Sequence, residues 1–200
     1  MNSIPRSEHP KPQFQRDSWM NLNGQWAFEI DNGRSGKARG LHQADAQFSD
    51  TILVPFCPQS QLSGVNHKDF LYGVWYRRTV DLTKEQLSGR AVLHFGAVDQ
   101  CCRVLVNDHP VGGHQGGYLP FTLDVTGALV PGENRLTAAV TDDPDGGVHA
   151  FGKQRRNRGG IWYTAQSGIW QTVWLERVPE NYIQSLTVTP DYDARTVTVK

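Results

Sequence analysis

The chain has few cysteines, no excess of charge of either sign and no long apolar run. Lysine and arginine together number 20, as do aspartate and glutamate, so the formal net charge is zero. A neutral chain has no strong field to gather nucleic acid or an anionic membrane, and we predict neither as a partner. No apolar run approaches the ~20 residues that cross a bilayer, and the polar N-terminus has no stretch typical of a signal peptide.

The three cysteines, Cys57, Cys101 and Cys102, are an odd number. The adjacent pair would point to opposite sides of a strand, so a disulfide framework is not expected. This usage predicts a reducing, cytoplasmic location. None of the three belongs to a Cys-x-x-Cys pair, and we predict no metal site and no cofactor.

Helix signals are also scarce. Thr83 and Gly89 bound one candidate turn, whereas short runs rich in Val, Thr, Leu and aromatic residues recur between Gly, Pro, Asn and Asp. These runs predict strands at residues 25–30, 51–56, 74–81, 91–98, 102–107, 109–114, 120–124, 134–142, 171–178, 184–190 and 195–200. Without strand–helix alternation, the pattern predicts an all-β sandwich or jelly roll and not a parallel α/β fold.

Alternation within the run 171–178 predicts which side chains are buried. Val173 and Leu175 share one face, which we expect to join the sandwich core. Trp174 and Glu176 share the other face. We expect Trp174 to pack there under loops or another domain, and all six glutamates of the chain to lie at the surface.

A domain boundary is predicted near Pro179, which ends a strand before a new β pattern begins at Ile183. Residues 1–180 then form one domain, and residues 181–200 begin another. The second pattern is a strand, a turn at Asp191–Ala194 and a strand, and a lone hairpin has little stability in water. We therefore expect the chain to be a piece of a longer protein.

Several motifs agree in order and spacing: WMNLNGQWAF (19–28), ILVPFCPQSQLSG (52–64), VWYRRTV (74–80), LHFGAVDQCCRVLVNDHPVGGHQGGYLPFTLDVT (93–126), ENRLTAAVTDDP (133–144) and SGIWQTVWLERV (167–178). Together they resemble the N-terminal sugar-binding domain of glycoside hydrolase family 2, which includes β-galactosidases, β-glucuronidases and β-mannosidases. The resemblance implies a galactose-binding-like jelly roll. An immunoglobulin-like sandwich would follow, with residues 181–200 as its first hairpin, and then a catalytic (β/α)₈ barrel that is absent here.

The resemblance also implies where the chemistry lies. Retaining glycosidases need two carboxylates about 5–5.5 Å apart, and in this family both are glutamates of the barrel, the acid/base following an asparagine. None of the six glutamates here follows an asparagine. We predict no catalytic residue in this chain and no hydrolysis by the chain alone.

The first candidate binding residues lie in the basic, glycine-rich stretch GKQRRNRGG (152–160) and just after it. The guanidinium forks of Arg155 and Arg158 suit a carboxylate, and the rings of Trp162 and Tyr163 suit the apolar face of a sugar. A solvated loop and aromatic core packing are the alternatives.

One position departs from the implied family pattern. In the galactosidase and glucuronidase branches an aspartate five residues before a Ser/Ala-Gly step contacts the sugar. Here that step is Ser167-Gly168, and the matching position is Trp162, so the polar contact is not carried over.

A second candidate loop holds His67 and Asp69, before the VWYRRTV strand. An ordinary surface loop is the alternative to a substrate contact there. Gly116-Gly117 predicts positive φ or a close strand approach. The acidic stretch 142–147 lacks EF-hand spacing, which favours a turn over a calcium site.

Three functions fit these features. The chain could be the non-catalytic domain of a family 2 glycosidase, supporting the barrel and lending a loop to its carbohydrate pocket. It could be an autonomous carbohydrate-binding module. It could also be a structural sandwich that forms homo-oligomers, since family 2 enzymes often assemble.

Overall fold

The structure is a computed structural model of the 200-residue chain, and it describes residues 4–200. The described part is all-β, without an α-helix, and no helix in it is long and apolar enough to cross a membrane. Four 3₁₀ turns occur, at Pro12–Phe14, Gln61–Ser63, Glu85–Leu87 and Thr126–Ala128. The strands are β1 (Trp19–Asn21), β2 (Gly24–Ile30), β3 (Asp50–Val54), β4 (Gly73–Leu82), β5 (Arg90–Phe95), β6 (Val98–Asp99), β7 (Cys101–Val106), β8 (His109–Gln115), β9 (Phe121–Asp124), β10 (Gly132–Thr141), β11 (Gln154–Arg155), β12 (Tyr163–Thr164), β13 (Gly168–Ile169), β14 (Val173–Val178), β15 (Val188–Asp191) and β16 (Thr196–Val199).

Two antiparallel sheets form the sandwich. One has four strands in the order β1-β14-β5-β9, and the other has six in the order β3-β2-β4-β10-β7-β8. Short pairs β11-β12 and β13-β6 lie outside these sheets, and β15 pairs with β16 alone. Non-sequential neighbours such as β1 and β14 bring distant parts of the chain together, as expected for a jelly roll.

The core lies between the two sheets, where alternate side chains of each strand are buried. Trp26, Phe28 and Tyr76 supply aromatic bulk from the six-stranded sheet. Val173 and Leu175 join the core from the four-stranded sheet, which confirms the predicted core-facing side of this strand.

The predicted strands are present, with bounds that shift by up to four residues. The very short β1, β6, β11, β12 and β13 were not predicted, because two or three residues are too few to show an alternating pattern. The turn residues, in contrast to these short strands, could be predicted from the sequence. Asn107 and Asp108 both have positive φ between β7 and β8, and Gln86 N–H donates to Thr83 Oγ1 at 3.3 Å in the predicted turn.

The prediction that every glutamate lies at the surface is wrong for Glu176, which is 2% exposed. Its carboxylate accepts hydrogen bonds from Arg16 Nη1 at 2.5 Å and from Trp174 Nε1 at 3.0 Å. His9 Nε2 lies at 3.1 Å and His94 Nε2 at 3.6 Å. Burial opposes ionisation, but the imidazole of His94, the indole N–H of Trp174 and the imidazole of His9 more than offset it and lower the pKa of Glu176 to about 2.

The cover over Glu176 comes from the N-terminal segment, residues 4–18. This segment brings His9 and Arg16 onto the outer face of the four-stranded sheet. His9 packs edge-on against Trp174, and His94 stacks on the same indole at 4.6 Å between ring centroids. Trp174 is therefore buried away from the core, as predicted, with the N-terminal segment as part of its cover.

The C-terminal hairpin presents two different faces. Val188 pairs with Val199, and Pro190 with Val197, so these side chains share an apolar face. The other face carries threonines and Asp191. All eight strand residues are exposed, so the apolar face is not covered by the described part of the chain.

We expect Glu176→Gln to lower the free energy of unfolding by about 3 kcal/mol at neutral pH, because it leaves the half-buried guanidinium of Arg16 without its counter-charge and removes an acceptor from Trp174 and His9. The pKa of Glu176 is depressed in the folded state, so its contribution is present above the usual glutamate value and is lost as pH falls from 4.5 to about 2. Denaturant unfolding of both chains across this range tests it. The difference between them should vanish at the acid end, and exposed Glu180→Gln is the control. A constant difference at every pH would contradict the assignment.

Candidate functional site

The candidate site lies at one end of the sandwich and is built on the Ser167-Gly168 step. Gly168 has φ +86°, and a Cβ there would lie 2.0 Å from Tyr76 Oη, so glycine is required. The N–H of Ile169 donates to the same hydroxyl at 3.3 Å. Ser167 Oγ lies 3.2 Å from both Leu71 O and Asp142 Oδ2. This step therefore fixes the point where the preceding loop joins the core.

Two buried carboxylates lie beneath the loop. Asp142 is 5% exposed and Asp99 is 7% exposed. Burial, with the charge of Asp99 added, raises the pKa of Asp142 to about 7, although the hydrogen bond from Ser167 opposes the shift. Burial also raises the pKa of Asp99 above its usual range. Asp142 is thus close to half-protonated at neutral pH, which reduces the cost of burying two acids together.

Gln154 connects the basic loop to this buried layer. Its Nε2 donates to Asp99 Oδ2 at 3.2 Å and to Tyr118 Oη at 3.3 Å. Its Oε1 accepts from the backbone N–H of Gln166 at 2.5 Å. One amide therefore holds both ends of the loop, since residues 154 and 166 flank it.

The loop itself is closed by backbone pairing. Strand β11 pairs in parallel with β12, so that Gln154 lies opposite Tyr163. Gly159 and Trp162 exchange two N–H···O bonds of 3.0 Å. Residues 156–162 therefore project from an ordered base.

The acidic stretch 142–147 neutralises part of the basic loop. Arg156 Nε donates to Asp145 Oδ2 at 2.6 Å, and Arg156 Nη2 lies 3.8 Å from Asp143 Oδ1. Arg155 Nη1 lies 3.6 Å from Asp145 Oδ1. The turn expected at 142–147 is present, and the carboxylates of Asp143 and Asp145 face arginines. Among residues 4–200, no three His, Cys, Asp or Glu side chains cluster as metal ligands would.

Arg155 is further held between two aromatic rings. Its guanidinium carbon lies 4.2 Å from the Phe151 ring centroid and 5.0 Å from that of Trp162. Such cation–π contacts fix the plane of the guanidinium and of the indole together.

Arg158 joins the basic loop to the second candidate loop. Its Nη1 donates to Lys68 O at 2.5 Å, between His67 and Asp69. Lys68 Nζ in turn donates to Gln59 O at 2.7 Å. Within the described part of the chain, Arg158 has no carboxylate oxygen within 4.0 Å, unlike Arg155 and Arg156. Its remaining donors are therefore available for an acidic group.

The aromatic residues at the loop end are exposed. Tyr163 is 65% exposed and Trp162 is 38% exposed, and Ile161 beside them is also exposed. The alternative of core packing is therefore wrong for these rings. Exposed ring faces beside a guanidinium can bind a sugar, whereas Asp142 is enclosed. The arrangement fits binding of a sugar.

The structure thus brings most of the predicted residues to one end of the sandwich. Arg155 contacts Trp162, and Arg158 contacts the loop of His67 and Asp69. His67 is half-buried and its N–H donates to Pro58 O at 2.9 Å, whereas Asp69 is exposed.

Sequence reasoning missed the residues that hold the loop, namely Asp99, Tyr118, Asp142, Asp145 and Gln154. For one of them, Asp99, the sequence held an indirect signal in a neighbouring glycine. Gly117 was predicted to permit a close approach, and its Cβ would lie 2.5 Å from Asp99 Oδ1. Nothing in the sequence named the partner of that approach.

Comparison with known proteins identifies the class. The sequence model of "Glycosyl hydrolases family 2, sugar binding domain" matches residues 19–179, and the chain belongs to this family. A β-glucuronidase of Paenibacillus borealis is 28% identical over 198 residues, covering 91% of this chain and 33% of the relative. A β-galactosidase of Alteromonas mediterranea is 35% identical over 119 residues, covering 60% of this chain and 11% of the relative.

Solved structures agree with the fold. A β-glucuronidase of an uncultured Clostridium species has a TM-score of 0.69 and 26% identity, covering 90% of this chain and 33% of that protein. The β-glucuronidase of Ruminococcus gnavus has a TM-score of 0.70 and 22% identity, covering 89% and 32%. The chain spans about a third of the length of these two proteins and of the Paenibacillus relative. The resemblance to the family 2 sugar-binding domain is therefore confirmed, and it concerns one part of such proteins.

We expect Asp142→Asn to stabilise the chain at pH 8 by about 2 kcal/mol, because ionised Asp142 is buried near Asp99. The pKa of Asp142 is raised in the folded state, so the stability of the natural chain should fall as pH rises from 3.8 to about 7. The variant should lose this slope. Denaturant midpoints at pH 5 and pH 8 measure it, with exposed Asp81→Asn as the control. A variant less stable than the natural chain at pH 8 would contradict the prediction.

Proposed function

We propose that the chain is the non-catalytic sugar-binding domain of a family 2 glycosidase, and that its loop 152–163 borders the substrate pocket of the catalytic domain. One observation carries the proposal. The base of the loop is fixed by Gln154 and the buried acids, while Arg158, Trp162 and Tyr163 at its end are exposed. A domain that only supported the catalytic domain would not need exposed side chains on a loop whose base is fixed in this way.

The substrate class follows from the relatives and from the loop. The relatives named above are β-glucuronidases and a β-galactosidase, which supports a β-glycoside as the substrate. Trp162 occupies the position where the family resemblance implies an aspartate. We expect it to contribute ring packing against a sugar instead of a hydrogen bond.

The hairpin supports the proposed link to further domains. We propose that residues 181–200 begin a second sandwich, whose core would cover Val188, Val197 and Val199. A two-stranded hairpin with one apolar face is marginal by itself.

Arg158→Ala and Trp162→Ala, each made in the full glycosidase of which this domain is proposed to be a part, should raise KM about tenfold and change kcat less. The reason is that the loop would bind the substrate without touching the bond that breaks. Steady-state kinetics on aryl β-glycosides measure this, with Lys84→Ala, in the turn after β4, as the control. The 200-residue chain alone should hydrolyse none of these substrates. Unchanged kinetics in both variants would refute the role of the loop.

Exchanging Val188, Val197 and Val199 for threonine should reduce self-association of the 200-residue chain, because the exposed apolar face is removed. Sedimentation velocity over a hundredfold range of concentration tests this. The unfolding midpoint should stay unchanged, since these side chains do not belong to the sandwich core. A lowered midpoint would show that the hairpin packs on the sandwich instead.

A further inference from the structure

The C-terminal hairpin is joined to the sandwich by a connecting segment, residues 179–187, that follows β14. Within residues 4–200, one direct hydrogen bond links residues 179–200 to the rest of the chain, and in it Arg16 Nη2 donates to Ile183 O at 2.7 Å. The other hydrogen bonds of residues 179–200 are internal, such as the pair between Thr187 and Lys200. The position of the hairpin therefore depends on a residue of the N-terminal segment.

Apolar packing does little to hold the connecting segment. Ile183 is 62% exposed and Leu186 is 47% exposed. A cavity of about 230 Å³ lies between this segment, the N-terminal segment and the four-stranded sheet. Since hydrophobic stabilisation scales with the apolar area removed from water, polar contacts have the larger share in fixing this part of the chain.

Arg16 makes these polar contacts with both ends of its guanidinium fork. Its Nη1 donates to Glu176 Oε2 at 2.5 Å, while its Nη2 donates to the carbonyl of Ile183. The guanidinium carbon also lies 5.4 Å from the ring centroid of Tyr182 and 4.6 Å from that of Phe14. A planar fork can hold two acceptors and two rings in one fixed geometry, which a lysine cannot do.

Glu176 gives the fork a fixed anchor. Its other carboxylate oxygen accepts from Trp174 Nε1 at 3.0 Å and lies 3.1 Å from His9 Nε2, so the carboxylate is held from two sides. The Arg16 side chain is 22% exposed and that of Glu176 is 3% exposed. A charge-assisted bond that is largely shielded from water is stronger than an exposed one.

A second arginine near Tyr182 is held less firmly. The guanidinium carbon of Arg90 lies 5.8 Å from the same ring centroid, and its Nη2 lies 2.6 Å from Asp124 Oδ2. Both side chains of this ion pair are more than 40% exposed. Exposed pairs contribute little to stability, so Arg16 provides the main hold on the connecting segment.

We propose that Arg16 is a clasp that holds the connecting segment against the sandwich and thereby sets the position of the C-terminal hairpin. The N-terminal segment then determines the direction in which the chain leaves the sandwich. Release of the clasp frees the hairpin while the sandwich stays folded, because Arg16 lies outside the core. No sugar contact is involved, so the clasp can be tested independently of the proposed function.

Backbone ¹⁵N relaxation of the 200-residue chain tests the clasp. In the natural chain, the amides of β15 and β16 should have order parameters of about 0.85, as in a rigid backbone, and Arg16→Ala should lower them below about 0.6. Amides of β4 and β10 should keep their values in both chains. Arg16→Lys should also free the hairpin, because an ammonium lacks the fork. Arg103→Ala, at an exposed arginine on β7, is the control and should change nothing.

Arg16→Ala leaves the buried carboxylate of Glu176 without its cation, which by itself can destabilise the sandwich. The double variant Arg16→Ala/Glu176→Gln removes both charges together, and it should free the hairpin to the same extent while β4 and β10 stay rigid.

Three results would overturn the proposal. The first is a hairpin that already moves independently of the sandwich in the natural chain. The second is a hairpin that stays rigid in both Arg16→Ala and the double variant, or in Arg16→Lys. The third is an equal loss of order in Arg103→Ala, which would show that the effect does not come from the contacts of Arg16.

Discussion

The contact between Gly168 and Tyr76 is the constraint on which both the fold and the site depend. Tyr76 is fully buried in the core, and its hydroxyl meets the backbone of Gly168 and Ile169 so closely that no side chain fits at residue 168. This contact fixes the start of the segment that leads into β14. That strand carries the core residue Val173 and the buried Glu176. It also fixes the end of the basic loop, so that loop position and sandwich register are set together.

Burial of charge separates the supporting parts of the molecule from the candidate binding surface. Glu176 is buried with an arginine and an indole donor and stays ionised, whereas Asp142 is buried near another acid and is partly protonated. Both solutions avoid an unpaired ion in the interior. Arg158 follows the opposite rule, since it is exposed and lacks a carboxylate within 4.0 Å in the described residues.

Strand positions and the family could be predicted from the sequence because alternation and turn residues are local signals. Val173 and Leu175 face the core as their spacing indicated. Glu176 could not be placed in the same way. Its alternation correctly put it beside Trp174, but its burial depends on His9 and Arg16, which lie over 150 residues away in sequence. Gln154 was missed for the same reason, because its partner Asp99 is a non-local contact.

The distribution of ion pairs decides which arginine of the basic loop is suited to a ligand. The sequence shows four cations in nine residues and cannot rank them. Arg156 pairs with Asp145 at 2.6 Å, and Arg155 shares that carboxylate while it is held between two rings. Arg158 donates to a backbone carbonyl alone, and a carbonyl leaves its positive charge uncompensated. The acidic stretch 142–147 therefore compensates the charges of Arg155 and Arg156 at the loop base. The charge of Arg158 is left without a carboxylate partner in the described residues.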